Sequence, residues 1–98
     1  MTTHELKIWP HYFEETLCGA KTAQLRRNDR AFQIGDRLLL REFVKESGRH
    51  TGRETTVVVT DVIQNCDGLV EGYCVLSIRL QIGALMNYRV PDPMVAGL

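Results

Sequence analysis

The chain has 98 residues, 44% of them hydrophobic, with twelve basic and twelve acidic residues for a formal net charge of zero. That length fits one domain with a modest core. The neutral balance argues against a basic coat for non-specific nucleic-acid binding, while leaving room for a local basic cleft. Cys18, Cys66 and Cys74 are odd in number and show no CxxC spacing, so they read as reduced thiols and not as a disulfide frame. Glu5 and Lys7 interrupt any apolar leader segment, and no apolar run approaches the ~18 residues of a membrane helix. A cytoplasmic protein that does not engage a membrane is the expectation.

In chain order, His4 to Trp9 alternates, with Leu6 and Ile8 on one face and Glu5, Lys7 and Trp9 on the other, which predicts a half-buried strand. Pro10 suits the first turn of a helix. A short helix is expected from Pro10 to Cys18, with Glu14 and Glu15 near its positive end and Phe13 and Leu17 sharing its inner face. Gly19 is the residue to close it in the left-handed conformation. Thr22 to Arg27 is the second strand. Its apolar face is Ala23 and Leu25, and its polar face, Thr22, Gln24 and Arg26, is expected to lie away from the core.

Arg27 to Arg30 reads as a polar turn, after which Phe32 and Ile34 are expected to return to the core. Gly35-Asp36 is a tight-turn signal. Arg37 to Phe43 is a third strand whose Leu38-Leu39-Leu40 centre suits burial on both faces. Lys45 to Arg53 reads as an exposed hairpin loop. Glu54 to Gln64, rich in Thr and Val, is the longest strand, and Tyr73 to Ile82 is the last, with Cys74, Leu76, Ile78 and Leu80 on one face. Periodicity then fades from Gly83 onward, and Pro91-Asp92-Pro93 interrupts any regular element there. The expected division is one domain over residues 1–82 and a loosely packed tail over 83–98. The later strands are most simply antiparallel. The expected fold is α+β and mostly β: a small mixed β-barrel of about five to six strands with one short N-terminal helix. Leu6, Ile8, Phe13, Leu38, Leu40, Val57, Val59, Leu76 and Ile78 are expected to be buried.

Charge is not spread evenly. Gly19 to Arg41 holds six of the twelve basic residues, Lys21, Arg26, Arg27, Arg30, Arg37 and Arg41, against Asp29 and Asp36 alone. Lys21 follows a helix end, where a basic residue also serves the helix dipole. Arg26 can pair with Glu42 or Asp29, or clamp a phosphate in bidentate fashion. Asn28 and Asp29 suit the turn as well as a ligand. Gln24 can read a base edge through its amide. Trp9 and Tyr12 can stack a base or pack around the helix start. Three histidines and three scattered cysteines show no metal-ligand spacing, and Gly19-Ala-Lys-Thr lacks the glycines of a phosphate loop. Neither metal nor cofactor is expected.

One set of residues carries a resemblance. His4-Glu5-Leu6-Lys7-Ile8, Tyr12-Phe13, and then Gly19-x-Lys21-Thr22-x-x-x-Arg26-x-Asn28-Asp29-Arg30-x-Phe32-x-x-Gly35-Asp36-x-Leu38-x-Leu40-x-Glu42 resemble an ASCH domain of the PUA-like superfamily. The likeness runs from His4 to about Ile78 and is nearest to a small branch of unknown function found in bacteria and phages. It implies a PUA-like barrel whose cleft is lined by Lys21 to Arg30, and a role in binding RNA or a modified nucleotide. Lys21, Thr22, Gln24, Arg26, Asn28, Asp29, Arg30 and Trp9 are the implied ligand contacts. One ASCH branch hydrolyses acetylated cytidine with a Lys, a Thr three residues later and a distant Glu. Lys21 matches the Lys and Glu71 is the candidate for the Glu, but Gln24, which is no nucleophile, stands at the Thr position. Binding is therefore favoured. A small hydrolase with Lys21 as its catalytic residue is the alternative, and a regulatory domain that meets a protein partner is the third reading.

Overall fold

The structure, a computed structural model, describes residues 1–81. The tail expected over residues 83–98 lies outside the described residues. Five strands and one helix succeed one another as β1 (Thr3–Ile8), α1 (Pro10–Leu17), β2 (Ala23–Arg27), β3 (Arg37–Val44), β4 (Arg49–Gln64) and β5 (Tyr73–Leu80). They form a single sheet ordered β1-β3-β4-β5-β2. Only β1 and β3 run parallel, and every other pairing is antiparallel. The architecture is mostly β with one short helix, as the alternation predicts.

Curvature comes from β4. Its first half pairs with β3 and its second half with β5, and the register shifts between Val59 and Asp61. Such a bulge bends a strand and increases its twist. A second shift, opposite Arg41 to Phe43, sets Thr51 to Arg53 of β4 against Glu42 alone and bends β4 again. Because β4 serves both neighbours, the sheet curls into a half-barrel and brings its outer strands, β1 and β2, round to face each other. The hairpin before β4 is tighter than the composition suggests. Val44 pairs with Arg49 and Phe43 with His50, so β4 begins inside the expected Lys45–Arg53 loop and only the Lys45–Gly48 turn lies outside a strand. The Ser-Gly and Thr-Gly pairs look like loop chemistry, yet Thr51 to Arg53 continue β4 as unpaired residues of a bulge opposite Glu42.

The core is the apolar inner face of the curl: Leu6, Ile8, Phe13, Phe32, Leu38, Leu40, Val57, Val59, Cys74, Leu76 and Ile78. All nine residues expected inside are buried. Leu39 is only half-buried, so β3 is covered fully on one face alone. Ile34 is 64% exposed, against expectation, because it sits in the turn before Asp36 while Phe32 alone dips inward. Helix α1 inserts Phe13 into the core and runs over β3. Its start has Pro10 at the first helical position, and its end is closed by Gly19 at φ +83. Glu14 and Glu15 lie beyond the first turn. Glu14 instead meets Arg53, which also holds the buried Glu42.

The buried carboxylates Asp36 and Glu42 are paired. His4 Nε2 lies 2.9 Å from Asp36 Oδ2, and Asp36 also accepts from the Thr2 and Gln33 amides. Burial pushes the Asp36 carboxyl up, but these hydrogen bonds outweigh it and hold the group below the usual carboxylate range. Glu42 is likewise held low, first by its hydrogen bonds from Arg53 and then by Thr51.

Candidate functional site

The ladder does not join β1 to β2. Arg37 N donates to Thr2 O across the β1–β3 pair, so by alternation the carbonyls of Glu5 and Lys7 point to the free edge of β1. Two arginines reach them. Arg26 Nη2 donates to Lys7 O at 3.0 Å, and Arg30 Nη1 donates to Glu5 O at 3.0 Å. The barrel is thus closed along this seam by side chains, with space left between the strands.

The strut requires β2 to present Gln24 and Arg26 inward, which reverses the expected facing. Gln24 is 3% exposed and Leu25 is 65% exposed. The physical reason is the missing ladder: a strand at an unzipped seam has no apolar neighbour strand to cover, and its inner side must satisfy β1 carbonyls instead. Arg26 Nε donates to Gln24 Oε1 at 2.9 Å, which fixes the amide. Gln24 Nε2 is then buried without a hydrogen-bond partner. A buried amide donor left unpaired costs about 1–3 kcal/mol, so the position is poor for stability alone.

Gln24 is part of the lining of a cavity of about 450 Å³, together with Lys7, Ile8, Trp9, Tyr12, Lys21, Leu25 and Arg26. Trp9 and Tyr12 stay 42% and 43% exposed and supply aromatic walls. Lys21 holds its ammonium 4.9 Å from the Tyr12 ring centre, and Lys7 holds its own 4.3 Å from that of Phe43. Arg26 is half-buried, and burial together with the nearby Arg30 pushes its guanidinium below the usual arginine value. An anion at this spot would relieve that cost.

On the far side of the Arg26 strut lies a second cavity of about 350 Å³, where Arg26, Arg27, Asp29, Arg30, Arg41 and His50 meet β1. The chain reaches it through Ala31, whose φ of 49 turns the backbone so that Arg30 points to β1 and Phe32 enters the core.

The residues singled out from the sequence therefore separate into groups. Trp9, Lys21, Gln24 and Arg26 share the aromatic cavity. Asp29 and Arg30 join Arg26 at the basic one. Thr22 and Asn28 line neither. Thr22 is exposed and gives its carbonyl to Ile78 N, and Asn28 bonds to the Gln64 side chain and to Gly72 O. Glu71 is exposed in the turn before β5, away from both cavities. Glu42, an expected partner for Arg26, is occupied by Arg53. Lys7 and His50 were missed, while Arg27 and Arg41 were singled out only as part of the basic stretch. Lys7 and His50 lie far from the Gly19–Arg41 basic stretch in sequence, and only the β3–β4 hairpin and the curl bring them in. Among the described residues no group of three or more His, Cys, Asp or Glu side chains is arranged to hold a metal. No helix among them is long and apolar enough to cross a membrane.

Comparison with known proteins fits this frame. The family model for a domain of unknown function, DUF3850, matches residues 3–78. The chain belongs to the DUF3850 family. It is also similar to an uncharacterized 12.9 kDa protein in the GpA 3′ region of Escherichia phage P2, 41% identical over 73 residues. That stretch is 74% of this chain and 64% of the phage protein, so the chain spans under two thirds of the relative's length. The DUF3850 match contains both cavities in full, along with β1 to β4 and most of β5.

Proposed function

We propose that this DUF3850 chain is an ASCH-type, PUA-like module that binds RNA or a modified nucleotide in the cytoplasm, with the base held in the aromatic cavity of the β1–β2 seam. The observation that carries the reading is the buried, unpartnered Gln24 Nε2 on a residue that lines the same cavity as Trp9 and Tyr12. A base supplies what that place lacks: a flat face for Trp9 and Tyr12, and a carbonyl or ring-nitrogen acceptor for the amide. Lys7, Lys21 and Arg26 stand around it as cations for a phosphate. A volume near 450 Å³ lies within the range of small-ligand sites.

Hydrolysis finds less support. Among the described residues, the aromatic cavity is lined by no Ser, Thr or Cys nucleophile and by no carboxylate or imidazole. Lys21, the residue matched to the catalytic Lys of the hydrolase branch, has the Tyr12 ring as its neighbour at this point. Lys21→Ala separates the two classes. A binder loses affinity for nucleotides and short RNAs. An enzyme on acetylated or otherwise modified nucleosides loses turnover while still holding substrate. Substrate turnover by the parent protein that vanishes in Lys21→Ala would overturn the binding reading.

A further inference from the structure

The basic cavity beyond Arg26 is not needed to hold a base, yet it gathers more cations than carboxylates. Its basic side chains are Lys7, Arg26, Arg27, Arg30 and Arg41, against the carboxylates of Glu5 and Asp29. Glu5 is not free to repel an anion, because Arg41 holds it at 2.7 Å. Asp29 reaches only Arg30, at 3.9 Å. Arg26, Arg27 and Lys7 have no carboxylate partner among the described residues. Arg27 is instead laid over the Tyr73 ring, with its carbon 5.6 Å from the ring centre. Arg26 spends N–H groups on Gln24 and Lys7 O, and the rest of its five donors remain. Planar forks of this kind match phosphate oxygens in pairs.

Lys7 and Arg26 line both cavities, so the two spaces adjoin across one side chain. An aromatic chamber and a guanidinium chamber set side by side reproduce the alternation of base and phosphate along a single strand. We propose that the basic cavity takes the phosphodiester next to the bound base, so that the ligand unit is a dinucleotide or longer single strand laid along the β1–β2 seam, and not a free nucleoside. This inference rests on the base-binding reading of the neighbouring cavity.

Calorimetric titration of the full chain with the four nucleosides and the corresponding dinucleoside monophosphates tests it. Expected is a gain of tenfold or more for the dinucleotide over its nucleoside. The logarithm of dinucleotide affinity should fall with that of salt at a slope of about −0.7, as for one phosphate on a single strand, with the nucleoside nearly flat. Arg27→Gln, an exposed position outside the aromatic cavity, should remove most of the gain and leave nucleoside affinity within about twofold. Arg49→Gln, outside both cavities, should change neither. Nucleoside binding with no gain from the phosphodiester overturns the phosphate chamber and leaves the base site standing. If nucleosides fail to bind while inorganic pyrophosphate shifts the Arg26 and Arg27 side-chain N–H resonances saturably, the base site falls and the anion chamber stands. Silence from every probe overturns both.

Discussion

Two sides of this small barrel are closed by different means. Along β3, β4 and β5 the closure is backbone ladder, backed by side chains with almost no exposure, such as Leu38, Leu40, Val57 and Leu76. Along β1 and β2 the closure is two arginine side chains reaching carbonyls, backed by an amide with an unused donor. The first arrangement leaves nothing for a ligand to satisfy. The second leaves donors, aromatic faces and volume in one place. A fold that could have zipped its seam and did not has kept polar capacity where stability would favour removing it.

The contrast predicts opposite mutational behaviour on the two sides. The largest effect belongs to the ladder side. Leu40→Ala should cost about 3 kcal/mol or more through lost burial and a residual cavity. For a domain of this size that lowers Tm by about 12 °C or more, while the affinity per folded molecule stays close to the parent's. A thermal melt and a binding titration on the same sample check both halves.

Next comes the paired carboxyl that anchors the turn into β3. Asp36→Ala removes the acceptor for His4, Thr2 and Gln33 and should cost about 2–3 kcal/mol. Asp36 and Glu42 both sit below their ordinary values in the folded protein, so the unfolded chain binds protons first as pH falls. Their contribution is whole above about pH 4.5 and is lost as pH drops through the folded-state values. Urea midpoints between pH 6 and pH 3 should therefore fall steeply in the parent and more gently in Asp36→Asn. Parallel curves would remove Asp36 from the acid response.

At the seam the stability effects shrink and the functional ones grow. Arg26→Ala deletes two hydrogen bonds and should cost about 1–2 kcal/mol, yet weaken nucleotide binding at least tenfold. Arg26→Lys should not restore it, since an ammonium cannot bridge the same acceptors as a fork. The smallest stability effect is reserved for Gln24→Leu. It removes the unpartnered donor but also strands Arg26 Nε, so the net change should stay within about 1 kcal/mol of zero. Base discrimination should nonetheless be lost. A large destabilisation there would mean that Gln24 serves the fold.

Much of this was legible in the sequence. The alternation of Leu6/Ile8, Val57/Val59 and Leu76/Ile78 gives the core directly, because buried strands repeat with period two. Pro10 and Gly19 bracket the helix. The basic stretch points to the half of the molecule that holds both cavities. The facing of β2 was not legible. Leu25 looks like a core residue and Gln24 like a surface one, and only the absence of a β1–β2 ladder reverses them. Lys7 and His50 were hidden for a related reason: whether outward residues of β1 and β4 gather into one cavity depends on how far the bulges curl the sheet.

Trp9 is the chain's single tryptophan and stands in the wall of the aromatic cavity, so its fluorescence reports on that site without a label. Titrating short single-stranded RNAs and mononucleotides into the full chain at two salt concentrations tests the central claim most directly. The account predicts a saturable change in Trp9 emission that weakens as salt rises and is lost in Arg26→Ala. Emission that stays constant to millimolar ligand, or that changes identically in Arg26→Ala, would contradict it.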